Sequence, residues 1–290
     1  MSAPVIEITA EQVNAILKGI SIPPQPQIMV DLQMEQFDPN CSIDHIAKLI
    51  SQDVGLSGCI LKTVNSPFFG LSNKITSIKQ AVNLLGIKTV INLVNAQSIK
   101  GALSDEQIVA LGKFWDSAID IAQVSTHIAK QIGFDAPDEA YSLGLFHNCG
   151  IPLLMMRFAN YAEVMERSYT SSDKSVTDVE NEFLATNHSV VGYYVAKSWK
   201  LPIHLCEAIH QHHQVNKILS EEKADNRKKT LLAILKMAET ICKNYKTLGN
   251  QDTDYEWQRI SDNILVYVGL SQYDFETLCQ HIYDMGLGGQ

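Results

Sequence analysis

A chain of 290 residues is long enough for one large or two modest domains, and 46% apolar residues can close a sizeable core. A formal net charge of −9 argues against nonspecific binding to nucleic acid or to an anionic membrane, since both need a basic face. The densest basic run is only Arg227-Lys228-Lys229, and no apolar run approaches the ~20 residues of a membrane span. Cys41, Cys59, Cys149, Cys206, Cys242 and Cys279 are scattered, with no CxxC pair, so the thiols read as small hydrophobes. A reducing cytoplasm fits best, and the N-terminus lacks the basic and apolar regions of a secretory signal.

In chain order the apolar period is helical nearly throughout. Thr9 with Gln12 resembles a capping box opening a helix over 10–19, which Pro23, Pro24 and Pro26 end. Ile28, Leu32 and Phe37 mark a second helix. Ser42 can cap a third, with Ile43, Ile46, Ala47 and Ile50 as its stripe, and Asp53 a fourth carrying Leu56, Cys59, Ile60 and Val64. The fourth stops at Ser66-Pro67, because the residue before proline resists the helical region. A short loop carries Phe68 and Phe69. Two helices broken at Gly86 follow, lined by Ile78, Ala81, Val82 and Leu85 and then by Val90, Ile91 and Val94. The mixed stretch Leu103 to Leu111 reads as a boundary between lobes.

A long helix is expected from Phe114 to Ile132, closed by Gly133. The run AYSLGLFHNCGIPLL delivers His147 and Asn148 at a helix end. There Gly150 suits a left-handed turn and Pro152 prevents the helix resuming. Helices are also expected over 161–167 and 176–185, after Asn187-His188, and from Pro202 through His210, His212 and His213. Residues 215–229 read as an exposed loop, 230–245 as a helix, and 247–256 as a polar connector. Two last helices follow, the final one capped by Ser271 with Asp274.

The stretch after Asp53 carries a long pattern. It comprises Asp53, Leu56, Ile60, Leu61, Lys62, Asn65 and Ser66, then Phe68-Phe69-Gly70, then Ile75, Ser77, Ile78, Ala81, Leu84, Leu85 and Gly86. This closely resembles the HDOD domain, a degenerate relative of the HD-type metal phosphohydrolases found in bacterial signalling proteins. The resemblance continues to about residue 285. It implies an all-α fold with an N-terminal helical bundle, residues 1–105, packed on a C-terminal HD-like helical bundle, residues 106–290.

In HD-type hydrolases the resemblance implies a first-helix His, an adjacent His-Asp pair, further histidines and a late Asp. Together these hold one or two divalent cations that activate water for phosphoester attack. Carried over singly, the first His falls at Ser117 and the pair becomes His147 and Asn148. His188, His212 and His213 match further histidines, and the late Asp becomes Glu239. The first ligand and the bridging carboxylate are therefore lost, and His plus Asn supply no charge to compensate a cation. No metal or other cofactor is expected, beyond an adventitious divalent ion such as Zn or Ni on His147, His188 and His213.

Each residue also has a plainer role. His147 reads as a buried, hydrogen-bonded imidazole and Asn148 as a turn cap. Along a helix His210 and His213 share a face while His212 points elsewhere, and His210 and His212 read equally well as solvated surface. Glu239, among apolar neighbours, needs a partner if buried.

The expected function is a non-catalytic, cytoplasmic regulatory module that acts through contacts with signalling proteins, around a vestigial pocket of Ser117, His147, Asn148, His188, His212, His213 and Glu239. Two alternatives stay open. One is a phosphohydrolase of nucleotides or cyclic dinucleotides using His147, His188, His213 and Glu239. The other is a small-ligand sensor using the old pocket between the lobes. No phosphate-cradling loop, GxSxG turn, HExxH or dinucleotide fingerprint occurs.

Overall fold

The computed structural model describes residues 17, 19–20, 27–37, 42–101 and 112–288, and no strand occurs among them. The helix expected over 10–19, the proline segment, Cys41 and most of the lobe boundary lie outside the described residues. The all-α expectation holds for the rest.

The first lobe is α1 (Gln27–Phe37), α2 (Ile43–Ser51), α3 (Val54–Val64), α4 (Ile78–Leu85) and α5 (Ile87–Gly101). Its starts are set locally, since Ser42, Asp53 and Ser77 each accept a first-turn amide hydrogen bond. Gly86, at φ 76°, makes the break between α4 and α5 that a residue with a Cβ would resist. Asn65 closes the end of α3 by bonding the Ile75 backbone through both side-chain atoms, at 2.8 and 2.7 Å.

The second lobe opens with α6 (Gly112–Gln131), which packs along α7 (Pro137–Phe146). A tight turn over 147–150 leads into α8 (Ile151–Arg157), followed by α9 (Tyr161–Thr170), α10 (Val176–Leu184) and α11 (His188–Ser198). Next come α12 (Ile203–Gln211), α13 (Val215–Ser220), α14 (Asn226–Ile241), α15 (Asn244–Gly249), α16 (Tyr255–Val268) and α17 (Gln272–Asp284). Helix α14 is buried along nearly its whole length and packs on α6, α7, α12, α13, α15 and α16. The capping box at Ser271 and Asp274 forms as expected, and a second one forms at Ser175 and Asp178.

Two expectations about turns need correcting. Gly150 has φ −76°, a right-handed value, so a left-handed turn is not the reason for glycine there. A Cβ at Gly150 would stand 2.1 Å from the His188 carbonyl oxygen and 2.9 Å from the Gly192 nitrogen, so close approach of α11 demands it. Pro152 does not stop the chain from coiling; it sits in the first turn of α8, where its missing N–H is not needed. The stretch 215–229 is likewise not one loop, because α13 and the start of α14 fall within it.

The buried residues form one continuous core from the first lobe to the last helix. The lobes meet where α5 packs on α7, and there Asn92 donates to the Ser142 hydroxyl at 2.6 Å in the interior.

Candidate functional site

The polar centre of the second lobe is built from four places in the chain. His147 and Asn148 enter from the end of α7, His188 is the first residue of α11, and His212 and His213 follow α12. Glu239 comes from the last turn of α14. Helix α12 ends at Gln211, so His212 and His213 lie in a turn and leave helical spacing. That is why both turn inward. His212, expected to point away from His213 and read equally well as solvated surface, is 0% exposed, while His210 is half-buried against Tyr193.

His188, His212 and His213 bring ligand-capable atoms within 4.8 Å of one another. Their hydrogen-bond partners favour one tautomer. His188 Nδ1 lies 2.6 Å from Glu180 Oε2, His212 Nδ1 2.7 Å from the Ile209 carbonyl, and His213 Nδ1 2.8 Å from Glu256 Oε1. These three partners accept, which favours the Nδ1–H tautomer even at His213, where Lys236 Nζ also stands 3.5 Å from Nδ1, and in a neutral ring of that tautomer Nε2 carries a lone pair. These lone pairs converge, with His188 Nε2 3.2 Å from the Nε2 of both His212 and His213. Burial, then the neighbouring His213 and Lys236, holds His212 well below the usual histidine range. Burial and Lys236 do the same for His213.

Three Nε2 lone pairs aimed at one point repel unless a metal cation or a shared ring proton stands between them. The fit to a single ion is close. Nitrogens ~2.0–2.1 Å from a tetrahedral Zn²⁺ stand about 3.4 Å apart, near the 3.2 Å observed. Each ring also has the outer acceptor that orients a metal-ligating histidine. Among the described residues, the ion-compatible trio contains His212 where His147 was expected.

The remaining expected residues, Asn148 apart, form a second chain beside the trio, with the His147 ring edge-on to that of His212 at 5.4 Å between centroids. His147 Nδ1 donates to the Gly144 carbonyl at 2.8 Å, and its Nε2 lies 3.3 Å from Glu239 Oε1. That second contact is attractive only when Nε2 also carries a proton. Glu239 Oε1 accepts from Asn244 Nδ2 at 3.1 Å, and Oε2 pairs with Lys236 Nζ at 2.7 Å. Burial would raise the Glu239 carboxyl, but Lys236, then His147, holds it well below the usual carboxylate range. Among the described residues, Ser117 reaches this chain through Asn244, at 3.5 Å. Asn148 is 3% exposed, and its Oδ1 has no hydrogen-bond partner among the described residues.

Two cations do not fit this shell. Asn148 and Ser117 bring no charge, and Glu239 is already held by Lys236. Sequence reasoning missed Glu180, Glu256 and Lys236. Glu180 is 0% exposed and also accepts from the Tyr161 hydroxyl and the His188 amide. Lys236 was the most legible of the three, because it stands three residues before Glu239 on one helix. Glu256 fell in a stretch read as connector.

A family model described as HDOD domain matches residues 22–215. An uncharacterised protein of Treponema pallidum (strain Nichols) is 26% identical over 198 residues, which is 67% of this chain and 38% of that protein. The chain thus spans well under half the length of that relative. An HDOD domain protein of unknown function from Geobacter sulfurreducens has TM-score 0.65 at 21% identity, covering 93% of this chain and 92% of that one. A protein from Shewanella amazonensis SB2B, described only as a candidate phosphohydrolase, has TM-score 0.63 at 23% identity, over 93% and 94% of the two chains. At such identities the likeness is one of fold.

Proposed function

This chain belongs to the HDOD domain family, and on that premise we propose that it is a regulatory module that relays a signal through protein contacts and hydrolyses no phosphoester. The observation that carries the reading is the enclosed, one-ion character of the polar centre. His188 and His212 are 0% exposed, His147 1%, Asn148 3% and His213 8%, so the Nε2 lone pairs are turned away from solvent, and the hollow of about 370 Å³ beside them is lined by His213 and Glu256 and reaches none of His147, Asn148, His188 or His212. No anionic side chain faces the trio from the position of Asn148, where a hydrolase of this kind needs its bridging carboxylate.

His188, His212 and His213 would hold one borderline-soft divalent ion, and its chemistry there is cross-linking: it joins the start of α11 to the turn after α12. Glu180, the Ile209 carbonyl and Glu256 aim the rings, and Gly150 lets the His147 turn lie against the backbone of His188. The runner-up, a phosphohydrolase on His147, His188, His213 and Glu239, needs Glu239 free to bind a cation, and Lys236 already occupies it. No helix among the described residues is long and apolar enough to cross a membrane. The partners are signalling proteins met at the exposed helix faces.

The test is an assay of the purified chain with Mn²⁺ or Zn²⁺ against p-nitrophenyl phosphate, nucleoside monophosphates and cyclic dinucleotides. Turnover should not exceed that of His212→Ala. Metal-dependent turnover that disappears in His212→Ala would sink the proposal.

A further inference from the structure

Lys236 is 3% exposed, on a helix buried almost throughout. Its ammonium lies 2.7 Å from Glu239 Oε2, 3.0 Å from Glu256 Oε2 and 3.5 Å from His213 Nδ1. Glu256 in turn orients His213, and Glu239 contacts His147. One ammonium therefore joins the network behind the trio to the network behind His147. Removing a charge of this kind from water is costly unless its neighbours compensate it. A lysine kept here has a stated partner on each side.

We propose that Lys236 is a built-in cation that takes the charge role of a second metal and so limits the centre to one divalent ion, bound by His188, His212 and His213. The inference rests on the one-ion reading above. Its argument is a charge count. Glu180, Glu239 and Glu256 are three carboxylates in contact with the centre, and Lys236 is one ammonium. With the three trio imidazoles neutral, and His147 left outside the count because its contact with Glu239 calls for a second ring proton, these four groups carry two negative charges, which a single divalent ion cancels. A second such ion would leave two positive charges enclosed in the interior. Asp254, the other acid lining the small hollow beside Lys236 and Glu239, caps α16 by accepting from the Trp257 amide, so its charge serves that helix end. The two carboxylates a second ion would need, Glu239 and Glu256, are both bound by the same ammonium.

The experiment is zinc titration of four proteins stripped of metal, with zinc counted by mass spectrometry after desalting. The four are wild type, Lys236→Met, Glu239→Gln and the double variant Lys236→Met/Glu239→Gln. Their internal charges are −2, −3, −1 and −2. Wild type should retain one zinc. Lys236→Met should take a second, or bind the first at least tenfold tighter. Glu239→Gln should bind at least tenfold more weakly, and the double variant should return to one zinc within about threefold of wild type. If Lys236→Met does not fold, Glu239→Gln and the neutral-pair double variant decide, since removing both members of a buried pair is tolerated better than removing one. One zinc in all four proteins with affinities within threefold would overturn the role of Lys236 and leave the one-ion reading standing. No zinc in wild type would instead remove the trio reading, and two zincs would remove both.

Discussion

Each imidazole of the trio is aimed by the acceptor on its far side, and Glu180 is the most committed of those acceptors. It holds His188 Nδ1, the His188 amide and the Tyr161 hydroxyl from a fully buried position. Glu180→Gln keeps the shape but removes the charge that makes His188 a better donor of its Nε2 lone pair. Zinc affinity should fall tenfold to a hundredfold, read by calorimetric titration. An unchanged affinity would mean that Glu180 only fills space. A second residue-scale expectation concerns pH. Burial first, then Asp116, pushes the Asp120 carboxyl up to about 6 against the pull of Lys62. The fold thus disfavours the charged form, and the unfolded chain loses this proton first. The contribution of Asp120 is therefore most favourable below its unfolded pKa of about 3.9 and declines as pH rises towards about 6. Asp120→Asn should gain stability relative to wild type between pH 4 and pH 7 in paired thermal melts. A difference that does not change with pH would contradict this.

At the scale of elements, glycines decide how closely helices approach. Gly144 lets α7 lie on α6, where a Cβ would stand 2.7 Å from the Ala122 Cα. Gly150 lets the turn after α7 rest on the first turn of α11. Gly150→Ala should cost about 3 kcal/mol, because both partners at that contact are backbone atoms that cannot rotate away. Gly58, within α3, meets nothing within 4 Å of an added Cβ, so Gly58→Ala should instead gain ~0.5–1 kcal/mol. Denaturant melts of the two variants should move in opposite directions. Equal shifts would refute the close-approach account. The caps were readable at this scale, since Ser42, Asp53 and Ser271 start helices as their positions imply. The ends were less so. Nothing local announced that α12 stops at Gln211, one residue before the histidine pair, and so the inward turn of His212 could not be read from spacing.

Across the whole molecule, the helical period, the caps and the long Asp53-to-Gly86 pattern were enough to predict an all-α HDOD fold. These are local signals: an apolar stripe recurs every three or four residues whatever lies across from it. The histidines could also be named from the sequence. Which of them share a point in space could not, because His188 and His212 are 24 residues apart and meet only when α11 packs on α12. The same holds for the groups behind them. Glu180, Lys236 and Glu256 lie on three different helices, and a charge pattern along the chain says nothing about which buried acid will find which buried base. That pairing was decided by tertiary packing, because the low-dielectric interior penalises every charge left without a partner.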